Sequence, residues 1–238
     1  LEPGMVLDAG AGPAPQTQGL RRRYPGALHV ALDWSSAMLR ERPSRPGWAR
    51  RILGARGSNA VCADMRRMPF SAGSCGLVWS NMALHWVSDP RSALAEFARV
   101  LRPDGLLMFS TLGPDTLKEL RGACEAAGAP AQVHRFHDMH DLGDMLGESG
   151  FAAPVVDMEI ITLTYASTAA LAADLRATGQ SSSAAGRSRA LTGKRRWAAV
   201  REPIAHLLHL PAATASERRL YRAVDGVIEE LGLARYRD

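Results

Sequence analysis

Val6-Leu7-Asp8-Ala9-Gly10-Ala11-Gly12-Pro13 is the stretch on which the fold turns. An apolar run ends at an acid, two glycines follow, then prolines, then a segment with helical character. The order reads as a buried strand running into a tight turn and a helix. Glycine tolerates backbone angles that other residues avoid and lets a ligand come close. A helix start offers unpaired N–H groups and the positive end of a dipole, which suit a negative group. Asp8, Gly10, Ala11 and Gly12 are therefore the first candidate binding residues.

A second acid supports this register. His29-Val30-Ala31-Leu32-Asp33 is another apolar run ending in a carboxylate. Asp33 follows the glycine turn by about twenty residues, where a strand–helix–strand unit places an acid that accepts from ribose hydroxyls. The alternative is a sharp turn and a surface aspartate. Trp34 comes next, and its ring either covers a planar base or packs partly into the core. Ser35 caps a short helix with Met38 and Leu39 on its apolar side.

Further along, Ala60-Val61-Cys62-Ala63-Asp64-Met65 reads as a short strand ending in a third acid. Leu77-Val78-Trp79-Ser80-Asn81 is a fourth strand, and Leu106-Leu107-Met108-Phe109-Ser110 a fifth, after a Pro103-Asp104-Gly105 turn. Polar side chains thus close successive strands at Asp33, Asp64 and Asn81. Parallel α/β sheets bind ligands at the carboxyl ends of their strands, near the switch in strand order. Between the strands, Asp89-Pro90 opens a helix whose stripe is Ala93, Leu94, Phe97, Val100 and Leu101. Continuous apolar strands alternating with helices predict a mostly parallel, twisted sheet with helices on both faces.

Past residue 112 the reading is a Gly113-Pro114-Asp115 loop and a helix through Leu117 and Leu120. A basic and aromatic segment, Val133-His134-Arg135-Phe136-His137, follows. A helix from Asp141 to Ser149 stops at Gly150. Val155 to Tyr165 is β-rich and partly alternating, which predicts a strand. Ser167 to Ala177 is read as a helix, Gly179 to Arg196 as a loop, and Trp197 to Leu210 and Glu217 to Leu231 as closing helices. Arg40 to Asn59, rich in Arg, Pro and Gly, is read as a basic loop.

The 238 residues suit a single domain, 1–238, with a core over 1–112 and substrate-side elements over 113–238. No apolar run approaches the roughly 18 residues a membrane helix needs, and the start does not read as a secretory signal. The chain opens almost directly on its first strand without Met, so a preceding segment is expected. Cys62, Cys75 and Cys124 have no C-x-x-C spacing, so neither metal site nor disulfide framework is expected, and a cytoplasmic setting fits. The net charge of +5 suits nucleic acid or an acidic protein partner. Much of the excess is arginine in proposed loops, where a solvated surface is the simpler reading.

These motifs, with Trp79-Ser80-Asn81-Met82-Ala83-Leu84-His85-Trp86 and Leu101-Arg102-Pro103-Asp104-Gly105, resemble those of class I S-adenosylmethionine-dependent methyltransferases. Ser110 to Leu120, Arg135-Phe136 and Met139 to Leu146 extend the likeness toward the malonyl-acyl-carrier-protein O-methyltransferases of biotin synthesis. The resemblance implies a Rossmann-like class I methyltransferase fold and S-adenosyl-L-methionine as cofactor. It implies that Gly10, Ala11 and Gly12 face the methionine portion, that Asp8 reaches its amino group, and that Asp33 holds the ribose. Asp64 would accept from the adenine amino group, with Trp34, Met38 and Met65 around the ring and Ser80 and Asn81 completing the methionine pocket. Arg135, in the basic and aromatic segment, is expected to hold the acyl substrate's carboxylate or its ester carbonyl, with His85 and Trp86 shaping the pocket; the alternatives are a solvated loop arginine and a core histidine. The implied partner is malonyl-loaded acyl carrier protein, with no nucleic acid and no membrane, and a monomer is expected.

A malonyl carboxylate is already a nucleophile at neutral pH, its pKa lying near those of Asp and Glu. No catalytic base is required, so none is assigned and positioning carries the chemistry. Two other readings stay open. One is another acceptor class, a small molecule or RNA. Base N-methylating relatives usually carry an Asn/Asp-Pro-Pro-aromatic element, whereas Asn81 here precedes Met82-Ala83-Leu84. The other is an assembly-factor relative that keeps the cofactor pocket without methyl transfer. Ala14 stands where many relatives have a third glycine, and the terminal segment reads helical where they end on an antiparallel strand.

Overall fold

A computed structural model describes residues 2–42, 59–126 and 135–177. The loop read over much of 40–59, the segment Val133-His134, the loop over 179–196 and the two closing helices lie outside the described residues. The described residues divide into two compact units. One holds residues 2–42, 59–112 and 137–157; the other holds 113–126, 135–136 and 158–177.

The first unit is built on five parallel strands: β1 (Met5–Ala9), β2 (Leu28–Asp33), β3 (Asn59–Cys62), β4 (Cys75–Asn81) and β5 (Leu101–Ser110). Their order in the sheet is β3-β2-β1-β4-β5. The chain starts in the middle, winds outward through β2 and β3, then crosses to β4 and β5. The direction of winding reverses between β1 and β4, so the carboxyl ends of these two strands flank the crevice where such sheets take ligands.

Burial follows from residue pattern. Nearly every residue of β1, β2 and β4 is buried, as expected for central strands covered on both faces. Odd and even positions serve different layers. Leu7, Ala9, Val30, Leu32 and Val78 pack in one cluster with Leu94 and Phe97 of helix α3 (Pro90–Val100) and with Leu142, Met145 and Leu146 of helix α5 (Met139–Glu148). Val6, Leu77 and Trp79 instead join Leu20 of helix α1 (Thr17–Arg23). Ala31 joins Leu39 of helix α2 (Ser36–Arg40). Phe97 is wholly buried, and burial of such a side chain contributes about 1.5–3 kcal/mol.

Helix ends match the chemistry read from the sequence. Asp89 accepts from the Ser92 N–H with Pro90 in the first turn, Ser35 Oγ accepts from the Met38 N–H, and Asp138 accepts from the His140 N–H. Past the Ser149 cap of α5, Gly150 takes a φ of +91° that suits glycine, and the Phe151 N–H closes back on the Leu146 carbonyl.

Four expectations change. β3 ends at Cys62, so Asp64 lies in the following loop and not at a strand end. That loop is pinned to α3: the Met68 N–H donates to Glu96 at 2.6 Å, and Arg99 donates to the Phe70 and Met68 carbonyls at 2.8 and 3.1 Å. β5 begins at Leu101, and the Pro103-Asp104-Gly105 turn is a bulge within it, since Cys75 pairs Leu101 while Leu77 already pairs Leu106. Leu117, expected in a helix, stands before it at φ +55°, so that α4 runs Lys118–Ala126 in the second unit, which also holds α6 (Thr168–Ala177). Finally, Val155 to Tyr165 forms no strand. Its alternation is real, but Val155 is 95% exposed and Ile160 69% exposed, and no described strand pairs with it. A period of two shows that a segment can be a strand; the ladder itself needs a neighbour.

Candidate functional site

The glycine turn is folded down over the end of β2. The N–H groups of Gly10 and Ala11 both donate to the Leu32 carbonyl, at 2.8 and 2.9 Å. Two residues on, the Gly12 N–H donates to Asp33 Oδ2 at 2.8 Å, and the Ser35 N–H donates to Asp33 Oδ1 at 2.8 Å. The buried Asp33 carboxylate thereby ties the turn after β1 to the start of α2, while each oxygen keeps a lone pair for a further donor.

Both glycines are required, for different reasons. Gly10 has φ +77°, and a Cβ there would overlap the methyl of Ala83 and lie 3.2 Å from the Met65 Sδ-methyl. Gly12 has φ +53° and nothing within 4 Å of where its Cβ would stand. The first glycine lets the loops after β1 and β4 meet; the second leaves open space above the turn. Ala14 then takes φ +57° while buried, a left-handed angle more usual for glycine. Helix α1 starts only at Thr17, after Gly12 to Gln16 have turned the chain.

Asp8 sits at this crevice with only 6% of its surface exposed, and its Oδ2 has no hydrogen-bond partner. Burial pushes its carboxyl up to about 7; the nearby Asp33 charge adds to the rise, and Thr17 and Arg42 oppose it. A buried carboxylate oxygen left without a donor is costly. A cation or ammonium group placed there would remove the cost.

The tip of β4 supplies the other wall. Ser80 is wholly buried and its Oγ has no partner. Asn81 Oδ1 accepts from Ser110 Oγ at 2.6 Å across the β4–β5 register, and the Met82 N–H reaches both Ser110 O and Ser110 Oγ at 3.0 Å. Met82 holds φ +51°. A short 3-10 turn, Leu84–Trp86, follows, with the His85 and Trp86 rings tilted at 40° and 5.3 Å between centroids.

The structure thus gathers Asp8, Gly10, Ala11, Gly12, Asp33, Ser80 and Asn81 at the carboxyl ends of β1, β2 and β4. Met65 reaches the same turn. Trp34 is 85% exposed, so core packing is not its role, and Met38 is also exposed. Asp64 is exposed and held by its neighbour Arg66, whose Nη2 lies 2.6 Å from Oδ2 and whose backbone N–H donates to Oδ1 at 2.9 Å. That guanidinium holds the Asp64 carboxyl below the usual carboxylate range. Arg135 belongs to the second unit, where its exposed guanidinium lies 3.8 Å from Glu125. Ser110 and Met82 are site residues that the sequence reading did not single out. The signal was available: Ser110 ends its apolar run as Asn81 does, and parallel strands in register bring such endings together.

The adenosyl cofactor expected of this fold is compatible with these groups: a buried carboxylate oxygen lacking a donor, a second carboxylate with spare lone pairs, and open space over Gly12. Among the described residues no helix is long and apolar enough to cross a membrane.

Residues 7–109 match the family model described as "Methyltransferase domain". A malonyl-[acyl-carrier protein] O-methyltransferase of Gallionella capsiferriformans is 45% identical over 202 residues, which are 85% of this chain and 70% of the relative. One from Laribacter hongkongensis is 48% identical over 197 residues, 82% of this chain and 66% of the relative. The chain therefore spans about two thirds of the length of these relatives. Among solved structures, the YcgJ protein of Bacillus subtilis shares the fold, with a TM-score of 0.58 at 18% identity, covering 92% of this chain and 82% of that one.

Proposed function

We propose, because this chain belongs to the S-adenosylmethionine-dependent O-methyltransferase family of those relatives, that it methylates the free carboxylate of a malonyl thioester on acyl carrier protein. The observation that carries the reading is the chain's 45% identity to a relative of that name across most of its length, joined to a strand-tip site with the right donors and acceptors.

The roles follow from the chemistry of the groups. S-adenosylmethionine, when bound, supplies a methyl group already activated for displacement. Asp8 would take the cofactor's ammonium, which satisfies the buried Oδ2. Asp33 would accept from the ribose hydroxyls on the lone pairs left after Gly12 and Ser35. Asp64 and Met65 would meet the adenine, with Trp34 and Met38 free to cover it. Ser80 and Asn81 would close the methionine end. The acceptor carboxylate is ionised at neutral pH, so the protein needs to place it and exclude water, effects worth up to roughly 7–11 kcal/mol. Arg135 of the second unit would pair with that carboxylate or with the ester carbonyl. In the first unit, His85 and Trp86 would lie on the acceptor side of the β4 tip. The net charge of +5 would favour encounter with an acidic carrier protein.

The test is incubation of the protein with methyl-labelled S-adenosylmethionine and malonyl-loaded acyl carrier protein. A base-labile labelled methyl ester on the carrier supports the reading. Binding of S-adenosylhomocysteine without any labelled ester removes the carrier from it.

A further inference from the structure

One hydroxyl ties the tip of β4 to the end of β5. Ser110 Oγ lies 3.0 Å from the Met82 backbone nitrogen and 2.6 Å from Asn81 Oδ1. A backbone N–H only donates, so the hydroxyl must accept from Met82. Its single hydrogen goes to Asn81 Oδ1. The side-chain NH2 of Asn81 is consequently turned away from Ser110. The contact to Met82, together with the bond from the same N–H to the Ser110 carbonyl at 3.0 Å, holds Met82 at φ +51°, an angle of low intrinsic stability for a residue with a Cβ. From that turn, Ala83 is set against Gly10, where any Cβ would overlap its methyl.

We propose that Ser110 is a positioning residue of the methyltransferase site: its hydroxyl fixes the orientation of the Asn81 amide and shares with the Ser110 carbonyl the hold on the left-handed turn at Met82, and so helps set how the β4 loop meets the glycine turn. The inference rests on the methyl-transfer reading only for its consequence in turnover. The relay itself acts on the walls of the cofactor site. A carboxylate or carbonyl oxygen is the chemistry the outward-turned Asn81 amide would take. The cofactor's own carboxylate and the acceptor's carboxylate are its two sources.

The experiment is a cycle of Ser110→Ala, Asn81→Ala and the double variant, with Ser110→Thr as the variant that keeps the hydroxyl. Affinity for S-adenosylhomocysteine is measured by calorimetry and melting temperature is recorded for each. Affinity for that product needs no acyl acceptor, so the result is readable whether or not a malonyl carrier is the substrate. Ser110→Ala is expected to weaken affinity about tenfold, as loss of one relay hydrogen bond would. Ser110→Thr should stay within about twofold of wild type, and the double variant should be no weaker than the weaker single one, since both act through one contact. If instead only acceptor KM rises tenfold with product affinity unchanged, the relay stands and its oxygen ligand is the acceptor's. Unchanged affinity and unchanged kinetics in Ser110→Ala, a Thr variant as poor as Ala, or losses that multiply in the double variant would each overturn the proposal. Should Ser110→Ala fail to fold, Ser110→Cys, close in shape but a weak hydrogen-bonding group, takes its place in the same cycle.

Discussion

The Gly12 N–H and Asp33 Oδ2, 21 residues apart in sequence, are joined by a 2.8 Å hydrogen bond that closes the glycine turn onto the end of β2. The other oxygen of Asp33 accepts from the Ser35 N–H. Asp33→Ala removes both acceptors at once. The expected outcome is a loss of about 1–3 kcal/mol in stability, seen as a lower denaturant midpoint, with S-adenosylhomocysteine affinity falling at least tenfold. Asp33→Asn keeps one acceptor oxygen and should fall between the two.

Gly10→Ala should be worse than its one added methyl suggests. The position has φ +77°, and the new Cβ would overlap Ala83. Strain and overpacking together predict a destabilisation of about 2–4 kcal/mol and a loss of product binding. Gly12→Ala, with open space around its Cβ position, should cost only the left-handed backbone penalty of about 1–2 kcal/mol while still obstructing the cofactor. Thermal melts with and without S-adenosylhomocysteine separate these effects.

Asp8 predicts a pH signature. Its carboxyl is raised from 3.8 to about 7 in the folded protein, chiefly by burial. Between those values the folded state holds a proton that the unfolded chain has lost, so this group's contribution to stability declines as pH rises from about 4 through 7. Asp8→Asn should remove that slope and melt higher than wild type at pH 8. An ammonium beside Asp8 favours its charged form. Binding of S-adenosylhomocysteine below pH 7 should therefore release a proton, measured as a binding heat that depends on the buffer's ionisation enthalpy.

Arg66 covers the carboxylate assigned to the adenine amino group. The pair is exposed, so Arg66→Ala should leave stability nearly unchanged. Because the variant frees Asp64, product affinity should hold or rise, whereas Asp64→Ala should weaken it severalfold. Paired calorimetric titrations of the two variants check the sign.

Arg135→Ala should leave S-adenosylhomocysteine affinity unchanged and lower kcat/KM for the malonyl carrier about tenfold or more, as loss of a charge-assisted contact would. Steady-state rates at saturating cofactor decide this.

The sheet and most of the site were legible because they depend on local pattern. Apolar runs ending in Asp8, Asp33 and Asn81 marked strands and their carboxyl ends, and Gly10 and Gly12 marked the turn. What pattern could not give were relationships between strands. The Ser110 hydroxyl matters because β5 lies in register beside β4, and the left-handed Met82 because Ser110 holds it. Asp64 closes an apolar run in the sequence, but β3 stops at Cys62 and the Glu96–Arg99 pair of α3 holds the loop beyond. Val155 to Tyr165 carried the alternation of a strand, and no described neighbour completes it. Trp34 follows an apolar run and so suits either core or ligand by pattern, and its exposure excludes the core.

The most direct measurement is a calorimetric titration of S-adenosylhomocysteine into the wild-type chain and into Asp33→Ala. The account predicts saturable heat at one equivalent for the wild type, at least tenfold weaker in the variant. No saturable heat in the folded wild type, or equal affinity in the two proteins, would contradict a cofactor site at the tips of β1, β2 and β4.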